Sequence, residues 1–140
     1  MKKTTLFLIL GITAIFALQN VRRPRVNLDE LSPLIVHGED RTFARLSNQS
    51  EWVLVDFWAE WCGACVRLKP ELSTLAPLYE NKVDFLAMNV DETPGTAGRF
   101  GISGLPALVL LRNGVEVDRW MGFAPYPVLQ HWIDGHIRES

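Results

Sequence analysis

Cysteine is scarce in this chain: among 140 residues there are two, Cys62 and Cys65. That excludes a small fold stapled by a disulfide framework, and the length leaves room for a core that needs no staples. A positive surplus is missing from residues 33–140, which carry nine Lys and Arg against fourteen Asp and Glu. An acidic domain of this kind is a poor nucleic-acid partner. There is no internal repeat and no low-complexity tract. The glycines from Gly95 to Gly104 lack the strand-to-helix setting of a dinucleotide fingerprint, so no nucleotide cofactor is expected. With 48% hydrophobic and 21% charged residues, the chain reads as one ordinary globular domain with a short appendage.

The appendage is the positive part. Residues 1–32 hold five Lys and Arg against two acids. Lys2 and Lys3 precede an uncharged apolar stretch from Thr4 to Leu18, which Arg22, Arg23 and Arg25 follow. At about 15 residues the stretch fits the apolar part of a signal peptide; counted to Val21 it approaches a thin membrane span. Residues 1–21 are therefore read as a signal peptide or membrane anchor that places the domain outside the cytoplasm, with a cytoplasmic location as the alternative. The polar residues 22–32 read as a linker, and 33–140 as the domain.

Within the domain, Leu34 to Val36 suggests a short buried strand, and Glu39 or Asp40 can cap a helix reaching Ser47. Val53 to Trp58 is too continuously apolar for a strand with one wet face and is expected at the centre of a sheet. A helix from Cys62 to about Tyr79 would bury Leu68, Leu72, Leu75 and Leu78, with a kink at Pro70. Val83 to Val90 suggests a strand and Thr93 to Phe100 a short helix. Pro106 to Leu111 and Val115 to Trp120 flank Asn113-Gly114, a strong hairpin signal. Pro125 to Ile137 closes the chain as a helix. The expected order is β-α-β-α-β-α-β-β-α.

The two cysteines stand three apart where the central strand passes into a helix. On one face of a first helical turn their Cα atoms come close enough for a disulfide that opens and closes. A sulfur at the helix start meets unpaired backbone N–H groups that favour thiolate, which makes Cys62 the attacking sulfur. Cys65, one turn in, would resolve the mixed disulfide. A zinc site is the competing reading, since His131 and His136 have a spacing that could supply a second ligand pair, yet about 65 residues intervene where a small finger has roughly a dozen. A purely structural bridge would close too short a loop to constrain much. Asp56, surrounded by Val53, Leu54, Val55, Phe57 and Trp58, is expected to be buried, with its pKa raised towards neutrality by desolvation.

The run Val55-Asp56-Phe57-Trp58-Ala59-Glu60-Trp61-Cys62-Gly63-Ala64-Cys65, followed by Pro70 and by Gly104-Leu105-Pro106, resembles the thioredoxin family over about Pro33 to Ile137. The resemblance implies a thioredoxin fold, an α/β single domain with a central mixed sheet flanked by helices. It also implies a thiol-disulfide oxidoreductase with Cys62 as nucleophile, Cys65 as resolver and Asp56 moving the resolving thiol's proton. Trp61 would shield the sulfurs. Pro106 would be a cis-proline facing the disulfide, and Leu105 before it is apolar as in the reducing branch of the family. Gly104, Met121 and Gly122 would line a shallow groove for an extended substrate strand. The implied partners are protein thiols and disulfides and a protein electron donor, with no cofactor beyond the cysteine pair, no metal and a monomeric state. The expected activity is reduction of disulfides on exported proteins; an oxidant or isomerase of the same fold, or a binding module without turnover, are the alternatives. Four positions depart from the family's habit: Ala64 stands in place of proline, Val66 in place of a basic residue, Ala87 in place of a lysine near the buried acid, and Ala107 in place of threonine. The loss of two cations is expected to leave the Cys62 thiolate and the Asp56 carboxylate less stabilised.

Overall fold

The computed structural model describes residues 32–138; the expected signal or anchor segment and most of the linker lie outside them. In chain order the elements are β1 (Ile35–His37), α1 (Asp40–Leu46), β2 (Trp52–Trp58), α2 (Gly63–Leu75), a 3-10 turn (Ala76–Tyr79), β3 (Asp84–Asn89), α3 (Pro94–Arg99), β4 (Ala107–Arg112), β5 (Val115–Met121) and α4 (Tyr126–Ile137). This is the order expected from the sequence. The strands form one five-stranded sheet, β1-β3-β2-β4-β5. β3 runs parallel to β1 and β2, whereas β4 is antiparallel to β2 and β5.

Every residue of β2 is buried, as a central strand covered on both faces requires. Its alternate side chains divide between two cores. Leu54 and Trp58 join Leu68, Leu72, Leu129 and Ile133 under α2 and α4. Val53, Val55 and Phe57 join Phe43 and Leu46 under α1, with Ala97 of α3. Asp56, two residues from both Leu54 and Trp58, therefore points to the α2 side. At the hairpin Asn113 and Gly114 both take positive φ, 50° and 77°, as a two-residue turn matched to strand twist demands.

Three local expectations are corrected. The strand expected at Leu34 to Val36 buries only Ile35; Val36 and His37 are exposed because β1 lies at the sheet edge. The helix expected to reach Tyr79 ends at Leu75, since a further α turn would need an N–H from Pro77 to the Ser73 carbonyl. The chain tightens into the 3-10 turn and Leu78 swings out to 50% exposure, leaving the buried stripe at Cys65, Leu68, Leu72 and Leu75. Cys62 is not the first helical residue but the N-cap of α2, with φ −90° and ψ 102°. Among the described residues no helix is long and apolar enough to cross a membrane.

Candidate active site

The end of β2 delivers the site. Ala59 to Trp61 carry the chain over the sheet edge, and the Cys62 N–H bonds the Ala59 carbonyl at 3.2 Å. Cys62 and Cys65 form a disulfide with Cα atoms 5.2 Å apart. As N-cap, the Cys62 sulfur accepts the Cys65 backbone N–H at 3.2 Å, so one of the helix's unpaired donors already points at the sulfur that would carry charge. Both cysteines are buried, Cys62 at 7% and Cys65 at 2% exposure. Cys62 is the one that reaches the surface cleft.

That cleft, of about 410 Å³, is lined by Trp61, Cys62, Val90, Ile102, Ser103, Gly104 and Leu105. Trp61 is 71% exposed, which removes a core role for it. Its Nε1–H donates to Asp91 Oδ2 at 2.9 Å, so the ring is held at the cleft's edge despite its exposure. The Leu105-Pro106 bond is cis. Met121 and Gly122 lie on the β5 side of Pro106 and not in the cleft lining: Met121 pairs with Ala107, and the Gly122 N–H donates to the Pro106 carbonyl at 2.9 Å. Met121 still borders Gly104, where an added Cβ would sit 3.5 Å from its Cε. The positive φ of Gly122, 87°, is a backbone state that side chains disfavour.

Asp56 points into the core that also holds Cys62 and Cys65. It is 6% exposed, and its Oδ1 has no hydrogen-bond partner. Burial pushes its pKa up to about 7, against a smaller downward pull from Lys69. Lys69 is a cation that the sequence reading did not name. Val66 and Ala87 carry no charge, but Lys69 does, and its Nζ lies 4.1 Å from the centroid of the Trp58 ring. Sequence reasoning also missed Asp91 and the cleft residues Val90, Ile102 and Ser103. Asp91 follows a strand end, and no local pattern ties it to Trp61 across thirty positions.

Nothing favours the zinc reading. Among the described residues no group of three or more His, Cys, Asp or Glu side chains could hold a metal, and His136 Nε2 instead meets Asp118 Oδ2 at 2.8 Å. A sulfur pair that can open, a buried carboxyl with pKa about 7 pointing into the same core and an apolar cleft beside the pair suit a thiol-disulfide oxidoreductase whose redox group is the cysteine pair itself. Known proteins agree. The family model described as Thioredoxin matches residues 34–135. Thioredoxin 2 of Chlorobaculum tepidum is 40% identical over 99 residues, 70% of this chain and 91% of that one. A thioredoxin of Staphylococcus haemolyticus is 43% identical over 89 residues, 64% of this chain and 86% of that one. The solved structure of a mutant thioredoxin from Halobacterium salinarum superposes with a TM-score of 0.68 at 29% identity, covering 77% of this chain and 96% of that one. The chain belongs to the thioredoxin family, and its mixed sheet with flanking helices is the thioredoxin fold.

Proposed function

We propose that this oxidoreductase works as a reductase of protein disulfides outside the cytoplasm, held at or released from a membrane by residues 1–21. The observation that carries the reductase reading is Asp56, a buried carboxyl with pKa about 7 that points from β2 into the core holding the resolving sulfur of Cys65. A catalyst that must let go of its substrate needs a base for the Cys65 thiol at working pH. The Cys62 thiolate attacks one sulfur of a substrate disulfide, forming a mixed disulfide and expelling the other sulfur as a thiolate. Asp56 takes the proton of the Cys65 thiol. The Cys65 thiolate then attacks Cys62 Sγ, the bond from Cys62 to the substrate breaks, and the substrate leaves as its second thiolate. Two electrons have passed to the substrate, and the Cys62-Cys65 disulfide awaits a protein donor of two more. Apolar Leu105 before Pro106 supports the reducing direction. The appendage, net positive and apolar from Thr4 to Leu18, supports export.

Substrate trapping tests the reading. Cys65→Ser removes the only sulfur able to release a captured protein, so higher-mass species that collapse on adding reductant should accumulate in cells expressing it. Mass spectrometry of those species identifies substrates and the electron donor together. Cys62→Ser should trap far fewer, because the remaining sulfur is the more buried one. Equal trapping by both variants would overturn the assignment of roles. Absence of trapping by either, with insulin left unreduced by the native protein, would leave a binding module.

A further inference from the structure

Asp56 has apolar neighbours on both adjacent strands. In the sheet register its neighbours are Ala87 on β3 and Leu108 on β4, so neither adjacent strand offers a charge or a hydrogen bond. The ionisable groups of those strands lie at their far ends and are engaged elsewhere: Asp84 with Ser50 and Arg112 with Glu51. α4 turns Leu129 and Ile133 to this core, while Asp134 is bonded to Tyr79 and His136 meets Asp118 of β5. From β1, His37 reaches only the edge of the Trp58 ring, 6.4 Å between centroids. On α2, Arg67 lies over Phe123 and Glu71 accepts the Tyr126 N–H.

Lys69 is the exception. It stands one turn after Cys65 on α2, beside the buried Leu68, and is itself half-buried. Among the described residues it forms no ion pair. Its ammonium instead rests on the face of Trp58, a ring 8% exposed on the same side of β2 as Asp56. A desolvated cation on an indole face is attracted by the ring quadrupole, so the seat fixes a positive charge in the layer where the carboxylate must ionise.

We propose that Lys69 is a positioning residue that acts through Asp56: it supplies from α2, by way of Trp58, the counter-charge that the sheet lacks at Ala87, and so keeps the acceptor for the Cys65 proton ionisable at neutral pH. The inference rests on Asp56 being that acceptor. An opposite charge nearby favours the carboxylate, and Lys69 pulls the Asp56 pKa down. The benefit falls on one step, the resolution of the mixed disulfide, because that step needs an empty proton site. Nucleophilic attack by Cys62 draws on the helix terminus instead and does not depend on Lys69.

The test uses the full-length chain in mild detergent. Lys69→Met keeps a flexible stem and a polarisable sulfur against Trp58 while removing the charge. The Asp56 carboxyl titration, followed by carbon-13 NMR in the oxidised protein and assigned with Asp56→Asn, should move up by about one pH unit, and the pH profile of mixed-disulfide resolution with it. At pH 7 the ionised fraction, and hence the resolution rate, should fall about fivefold for that shift. Lys69→Arg should keep the native profile, and Ala87→Lys added to Lys69→Met should return it, since position 87 sits opposite Asp56. An Asp56 titration unmoved by Lys69→Met would overturn the proposal, whatever the fold or activity of the variant. Asp56→Asn with an unchanged resolution profile would instead overturn the role of Asp56, and the NMR titration would still decide whether Lys69 sets its ionisation.

Discussion

Replacing Asp56 with asparagine should stabilise the oxidised protein by an amount that depends on pH. The carboxyl is raised from 3.8 to about 7 by burial in the core between α2 and the sheet. One pKa unit corresponds to about 1.36 kcal/mol, so the shift amounts to about 4 kcal/mol in the balance between folded and unfolded states. The sign follows from the protons. Between the unfolded and folded pKa values the folded chain holds a proton that the unfolded chain has released, so stability falls as pH rises from about 4 through about 7 and levels off above. Asparagine cannot ionise and removes that slope. Its amide, like the neutral acid, is buried without assured partners and costs about 1–3 kcal/mol at any pH, so the absolute offset is less telling than its change. Urea unfolding of both proteins with the disulfide intact, near pH 4 and near pH 8.5, should show the advantage of Asp56→Asn growing by about 4 kcal/mol between the two conditions. A constant offset across that range would refute the reasoning, because it would mean that Asp56 ionises in the folded protein as readily as in the unfolded chain.

Two further outcomes are expected. Ala64 is the second residue of α2, where a missing N–H is tolerated; Ala64→Pro should reduce the freedom of the open, reduced loop by about 0.4–1 kcal/mol, moving the reduction potential about 10–20 mV more negative. Equilibration against glutathione showing no shift would count against the loop as a control element. The proposed export predicts that a fusion of the intact chain to a reporter active only outside the cytoplasm will be active, with carbonate extraction separating a retained anchor from a cleaved signal; a fully soluble cytoplasmic product would exclude both.

What the sequence made legible follows from the range over which each force acts. Alternation and continuous burial in β2, the Asn113-Gly114 turn and the spacing of Leu68, Leu72 and Leu75 are local patterns, and the structure keeps them all. Leu78 satisfied the same periodicity and still ended up exposed, because Pro77 changes the pitch of the turn that carries it. The proline was visible in the sequence, but its effect is on winding, which a count of apolar spacings does not register. β1 failed in a different way. Whether a short apolar run is buried on two faces or stranded at an edge depends on its neighbours, and β1 has one, β3.

The electrostatics of the site were the least legible part, for a reason that Asp56 makes plain. Its burial could be read from five apolar neighbours in one strand, because sequence adjacency and spatial adjacency coincide there. Its counter-charge could not. The sequence shows Val66 and Ala87 where cations are usual and leads to a less stabilised carboxylate, whereas Lys69 comes to the same core from a helix packed above the sheet and lies over the Trp58 ring. A charge has no period and no fixed register; a long flexible side chain can bring it to a site from any element within about 6 Å. The buried acid therefore constrains the presence of a cation nearby far more tightly than it constrains which strand or helix supplies it.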